Sequence, residues 1–424
     1  MKGEPLMKTC FSPADILLPD FNRENGTKWA VIACDQFTSE KKYWEDAAAL
    51  VKDAPSALSL VLPEVYLDET ETRLPRVHAA MENLKDALTL HKDTLIYLER
   101  AQSDGRVRRG IIGKIDLEAY DYQKETTAAI RATEGTVLSR IPPRVAIRRG
   151  APLELPHVML LIDDEKRSVI EPLSQAVNDR DPLYDFDLML GGGHVTAYRL
   201  TDAEIDAVDT ALAALNTEER MNERYGKSLP PLLFAVGDGN HSLASAKAFY
   251  EEIKKEIGAE AAKDHPARYA LTEVVNLHDT ALDFEPIYRV VFGADKEDLL
   301  NALTDYARAL SGKETAQKMT VITPESETEF VFENPTLQLT VGTLQAFLDG
   351  YLAKNSGVEV DYIHGEDSVR DLVRSKNAIG FLFSGMQKDE LFKTVIFDGA
   401  LPRKTFSMGH ARDKRYYIEA RKIK

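Results

Sequence analysis

Residues 236–242 read Val-Gly-Asp-Gly-Asn-His-Ser and gather an acid, an amide, an imidazole and a hydroxyl at one turn. Gly237 and Gly239 permit positive φ and close main-chain approach, and a helix starting here presents N–H groups and a positive dipole end to a phosphate. Asp238 has the chemistry to hold a divalent cation, and His241 can donate to a phosphoryl oxygen or carry a proton. Ser242 reads as both helix N-cap and phosphate donor, with Asn240 as a further polar contact. The dinucleotide fingerprint is incomplete, because Ser242 stands where a third glycine is required. The same residues also suit a plain Asx-capped turn; their clustering at one helix mouth favours chemistry.

Two other stretches carry suitable side chains. Residues 124–149 are basic within an acidic chain (Lys124, Arg131, Arg140, Arg144, Arg148 and Arg149 against Glu125 and Glu134), which suits either an anion site or a solvated face. Residues 402–407, Pro-Arg-Lys-Thr-Phe-Ser, set two cations beside two hydroxyls, so that Lys404 becomes a candidate anion contact. Gly191, Gly192, Gly193 and His194 read as a loop lip opening a strand. The histidines at 78, 91, 157, 265, 278, 364 and 410 lack metal-ligand spacing and read as structural or exposed. There is no GxxxxGK[ST], HExxH, GxSxG or paired CxxC, which removes P-loop enzymes, zincins, elbow-type serine hydrolases and thiolate zinc ribbons.

For the turn to work, a strand must end and a helix must begin at it. Residues 29–34, 95–98, 110–115, 158–162 and 232–236 are short apolar runs that read as buried strands, several of them in one sheet. A helix with Leu243, Ala246, Tyr250, Ile253 and Ile257 on one stripe follows Ser242. Another begins at a capping box, Thr201 with Glu204, and stripes Ile205, Val208, Leu212 and Leu215. Asp295 caps a helix through Leu310, and residues 329–333 and 337–341 flank an Asn-Pro turn like a hairpin. A boundary falls near residue 293. The alternation of strands and helices makes the chain α/β, of the mixed α+β kind.

At 424 residues the chain has room for two or three domains, and 44% hydrophobic with 29% charged residues excludes a largely disordered protein. The net charge of −16 argues against nucleic acid and anionic membranes as partners. It does not exclude a local cationic pocket, which dominates within roughly 8 Å. No apolar run approaches the roughly 20 residues that span a bilayer, residues 1–10 show no leader-like apolar stretch, and Cys10 and Cys34 read as reduced thiols. These features predict a cytoplasmic protein acting on a small molecule.

The phrases at 29–39 (WAVIACDQFTS), 129–136 (AIRATEGT), 234–246 and 401–409 resemble the domain-of-unknown-function family 1015 over nearly the whole chain. A better-known branch of that family carries Asp-Gly-His-His-Arg after a strand. That box is similar to the phosphate-binding box of the ParB/sulfiredoxin-like superfamily, which includes an ADP-dependent free serine kinase. Asp238, Gly239 and His241 match the box, whereas Asn240 and Ser242 replace its first His and its Arg. Arg131 or Arg140 is then needed as the missing cation. An upstream His-Glu-x-Thr box survives as Glu134 and Thr136 without its His, and by analogy Glu134 becomes the base toward a substrate hydroxyl. The resemblance implies an N-terminal α/β region over 1–120, a ParB-like core over 121–293 and a C-terminal α/β region over 294–424. It further implies a serine kinase-like phosphotransferase of serine metabolism, interconverting L-serine and O-phosphoserine with Mg2+ and ADP or ATP. A metal-assisted phosphomonoesterase and a non-catalytic, nucleotide-responsive binding module are the rivals.

Overall fold

The computed structural model describes residues 8–312 and 315–424, so the start of the N-terminal stretch read for a leader lies outside the described residues. Contacts divide the chain into two units. Unit 1 takes the chain up to Ala132, Thr136–Leu282 and His410–Lys424; unit 2 takes Thr133–Gly135 and Asp283–Gly409. Three consecutive regions are expected from sequence, but strands on both sides of residue 120 hydrogen-bond into one sheet, and His410–Lys424 returns to unit 1.

In unit 1 a ten-stranded mixed sheet contains β1 (Phe11–Ser12), β2 (Ile96–Ala101), β3 (Val107–Asp116), β4 (Tyr120–Asp121), β5 (Ile130–Ala132), β6 (Met159–Ile162), β7 (Tyr184–Asp187), β8 (His194–Arg199), β9 (Phe234–Asp238) and β10 (Tyr269–Asn276). Their order is β7-β8-β2-β3-β10-β6-β9-β5-β4, with β1 paired to β3. Period-2 alternation covers both faces: Ile96, Leu98 and Ile112 enter one core, while Tyr97, Ile111 and Ile115 enter the other. Four of the five apolar runs read as strands lie in this sheet. The fifth does not: residues 26–29 form a helical turn capped by Asn25, and only Val31–Ile32 is a strand, paired with Tyr416–Tyr417. Trp29 is fully buried there and donates its indole N–H to Ile418 O (2.8 Å), which fixes the turn.

The helices of unit 1 include α1 (Ile141–Gly150), α2 (Asp202–Leu215) and α3 (Asn240–Ile257). The Thr201–Glu204 capping box of α2 forms in both directions. Thr201→Ala should therefore lower the unfolding free energy by about 1 kcal/mol in urea titrations, since it leaves the Glu204 N–H without a side-chain partner. Helix α3 divides its apolar residues, with Ala244 and Phe249 in one core and Leu243, Ala246 and Tyr250 in the other.

Unit 2 is built on β11 (Phe284–Phe292), β12 (Gln317–Ile322), β13 (Glu327–Phe332), β14 (Glu359–His364), β15 (Ile379–Phe383) and β16 (Phe406–Met408). The order is β13-β12-β15-β11-β14, with β16 paired to β11. Asp295 caps α4 (Lys296–Ala309) as expected. The expected hairpin between 329–333 and 337–341 is not formed: β13 pairs with β12, and Thr340 opens α5 (Thr340–Leu352). Val341, Leu344, Leu348 and Tyr351 recur at helical rather than alternating spacing and are buried from that helix.

Candidate functional site

Asp238 is the last residue of β9, and Gly239 turns the chain into α3 with φ 82° and ψ 26°. Only glycine takes that left-handed conformation without strain, and a Cβ there would also come within 3.1 Å of Val158 Cα. Gly237 is a strand residue. The N-cap of α3 is therefore Gly239, with Asn240 as the first helical residue, and Ser242 lies inside the first turn instead of capping it. A glycine N-cap offers no side chain to the opening N–H groups, which favours an external acceptor at this end of the helix.

The Asp238 carboxylate accepts from Gly239 N through Oδ1 (2.8 Å), and Oδ2 lies 3.2 Å from Lys414 Nζ. Burial alone would raise its pKa; the Lys414 ammonium, and then His157, outweigh burial and hold it below the usual carboxylate value. His241 is half-buried, and its Nε2 accepts from Val137 N (3.3 Å), which leaves the ring proton on Nδ1 in the neutral imidazole. Burial, then the positive charges of Arg144 and Arg140, push its pKa below 6.5, against an opposing pull from Asp35. A histidine whose folded-state pKa is lowered binds fewer protons than the unfolded chain, so its contribution to stability is lost as pH falls from 6.5 through the lowered value. NMR titration of His241 should give a midpoint below 6.5, rising when inorganic phosphate is added; a midpoint at or above 6.5 in the free protein would contradict this environment.

The two arginines proposed as the missing cation differ sharply. Arg131 is buried, and its guanidinium donates to the carbonyls of Ala128 (2.8 Å), Pro230 (3.2 Å) and Pro231 (3.5 Å). Those carbonyls precede β9, whereas the turn follows it, so the guanidinium serves the opposite end of the strand from Asp238. Arg140 is exposed and is an electrostatic neighbour of His241, together with Arg144. Arg144 is also ion-paired with Glu64. Glu134 and Lys404 belong to unit 2. Glu134 is half-buried, bridges in parallel to Leu401 and is an electrostatic neighbour of Arg289. Lys404 has φ 53°, its carbonyl accepts from Arg289 (3.0 Å), and its ammonium lies 5.1 Å from the centroid of the Tyr362 ring.

Sequence reasoning passed over much of this neighbourhood. His157 is buried, with Nδ1 3.0 Å from the Tyr417 hydroxyl and Nε2 3.9 Å from Asp35 Oδ2. The Tyr417 hydroxyl also lies 3.0 Å from Cys34 Sγ, and burial, then the charge of Asp35, push that thiol up to about 12, so it stays protonated. Both cysteines are free. The only signal for Cys34 and Asp35 was their place in the 29–39 phrase; His157, Lys414 and Tyr417 had none.

For Mg2+, Asp238 offers one carboxylate that already faces an ammonium. Mg2+ is commonly held by one or two carboxylates with substrate phosphates and water, so these residues fit it only alongside a nucleotide. Among the described residues, one trio of possible ligands converges: Asp163, Glu165 and His278. Arg224 pairs with both of its carboxylates (2.8 Å each) and His278 with Asp163 (2.7 Å), so that trio is internally satisfied. No helix among the described residues is long and apolar enough to cross a membrane.

Several solved structures match the chain at low TM-scores. A free serine kinase in complex with AMP matches with a TM-score of 0.37 and 9% identity, over 72% of this chain and 89% of that one. A conserved hypothetical protein from Pyrococcus furiosus matches at 0.35 and 9%, over 72% and 92%. SbnI with a C-terminal truncation from Staphylococcus aureus matches at 0.33 and 11%, over 70% and 82%. No curated protein matches the chain. Residues 20–351, which include the Asp238 turn and Glu134, match the protein family of unknown function DUF1015, and the chain belongs to that family.

Proposed function

We propose that the Asp238 turn is the phosphoryl site of a phosphotransferase interconverting L-serine and O-phosphoserine, with ADP or ATP as co-substrate. The observation that carries this reading is the company kept by the opening turn of α3: a left-handed glycine N-cap, a lysine-paired carboxylate, a histidine of lowered pKa and two arginines nearby. Phosphoryl transfer needs positioning and charge neutralisation more than covalent chemistry, and these groups supply both. The main-chain N–H groups of residues 241 and 242, beyond the one that Asp238 takes from Gly239, would cradle phosphate oxygens, with Gly237, Asn240 and Ser242 shaping the lip. His241 would donate to a transferring oxygen and Arg140 would neutralise it, while Arg131 holds the strand that carries the turn. Asp238 would share Mg2+ with the nucleotide; the ion supplies further charge neutralisation when bound. Glu134 as proton acceptor and serine as substrate come from the sequence resemblance, and Lys404 as a second anion contact from the cations and hydroxyls gathered at 402–407.

The test is turnover of O-phosphoserine with ADP, and of serine with ATP, each against a no-nucleotide control with free phosphate measured in parallel. Nucleotide-dependent interconversion is expected. Phosphate release that ignores nucleotide would point to a phosphomonoesterase, and folded protein with no turnover in any combination would point to a binding module or a different substrate.

A further inference from the structure

Lys414 is held more firmly than a surface lysine needs to be. Its side chain is 16% exposed, and its ammonium, 3.2 Å from Asp238, belongs to a segment whose main chain is locked by buried arginines. The carbonyls of residues 412, 413 and 414 all accept from guanidinium groups: Arg100 donates to Arg412 O (2.8 Å) and Lys414 O (2.9 Å), and Arg108 to Asp413 O (2.9 Å). Arg100 also bonds Gly192 O through two nitrogens (3.1 and 2.7 Å), which gives the glycine-rich loop of 191–193 a structural task. Arg100 and Arg108 are each only 2% exposed. Burying guanidinium groups is costly, and well-packed apolar side chains would often stabilise a core equally well. What the arginines achieve that apolar groups cannot is to fix three successive peptide units, and so the direction in which residue 414 leaves the chain. Burial, then the charge of Arg108, lowers the pKa of Arg100 to about 10, so it is still charged at neutral pH.

We infer that Lys414 is a phosphate-binding cation of the Asp238 turn, set in place by the Arg100–Arg108 clamp. An ammonium has three N–H donors and Asp238 engages one, so the carboxylate orients the lysine while other donors can reach an anion. In this role Lys414 binds, and Arg100 and Arg108 are positioning residues.

The inference rests on the Asp238 turn being a phosphate site, and the test separates the two. Binding of inorganic pyrophosphate to the full chain is measured by calorimetry for wild type, Lys414→Met, Lys414→Arg and Lys422→Met. Lys422 lies on the same segment, with a side chain 53% exposed, and serves as the charge control. Lys414→Met should weaken binding by about 10–100-fold, the scale of one charge-assisted hydrogen bond, and Lys414→Arg should recover much of the loss. Lys422→Met should bind like wild type. Arg100→Lys should speed amide exchange at residues 412–414 and weaken pyrophosphate binding in step. If wild type binds and Lys414→Met binds equally well, or if Lys422→Met loses as much, the inference is overturned while the phosphate site stands. Faster exchange in Arg100→Lys without loss of affinity would overturn the clamp. Wild type that binds no pyrophosphate would overturn both the inference and the site.

Discussion

Glu273→Ala is expected to lower the unfolding free energy by about 3–5 kcal/mol, the cost of leaving buried positive charge without its partner. Glu273 lies in β10 with no exposed surface; its Oε2 is 2.7 Å from Arg415, and Arg108 approaches Oε1 at 3.4 Å. Burial would raise its pKa, but Arg108, and then Arg415, prevail and hold it below the usual value. Removing the carboxylate leaves two buried guanidinium groups to share Glu419 and main-chain carbonyls. Urea denaturation followed by tryptophan fluorescence suits the measurement, since Trp29 and Trp44 are both buried in unit 1. Because the folded-state pKa is depressed, the contribution of Glu273 is present above the ordinary carboxylate range and is lost as pH falls through the lowered value. A loss under about 1 kcal/mol would mean that the network behaves like an exposed ion pair.

Glu134→Gln is expected to lower kcat by about 10²–10⁴-fold with a smaller change in KM, if Glu134 accepts the proton of the substrate hydroxyl. The amide keeps the size and hydrogen-bonding reach of the side chain and removes its basicity, so loss in the chemical step is the signature. Asp238→Asn should instead weaken assembly of the bound state, raising the nucleotide concentration needed for half-maximal rate. Steady-state kinetics of both variants, in the direction that wild type favours, separates the roles. An unchanged kcat in Glu134→Gln would remove the residue from the chemistry. Asp35 and His157 of unit 1, 3.9 Å apart and with His157 an electrostatic neighbour of Asp238, would then be the candidates for the base.

The turn was legible because its parts are contiguous: an apolar strand, a glycine, and an amphipathic helix in immediate succession declare a strand-to-helix junction. Its cap was misread, because serine is the commoner N-cap while the left-handed glycine two residues after Gly237 is what the geometry uses. Arg131 was misassigned because residue type says nothing about direction, and its donors are taken up by carbonyls at the far end of β9. Lys414, His157 and Tyr417 were invisible for a different reason. Lys414 is placed by a buried clamp, Tyr417 by strand pairing with Val31, and His157 meets Tyr417 across 260 positions, and no local pattern encodes such meetings. The hairpin expected at 329–341 failed because a short apolar run is ambiguous between strand and helix until its partner is known.

The return of His410–Lys424 to unit 1 has a bearing on how the protein is made. Strand pairs join Tyr416–Tyr417 to Val31–Ile32 and Arg421–Lys422 to Leu153–Glu154, so pieces synthesised near the start await pieces synthesised after all of unit 2. Most domains can fold as they leave the ribosome, in order of synthesis. Unit 1 cannot, and a nascent chain stalled before residue 410 would expose the edges that these strands cover, together with the buried arginines meant to hold them. Released chains truncated before residue 410 should be open to protease in unit 1 while unit 2 is closed.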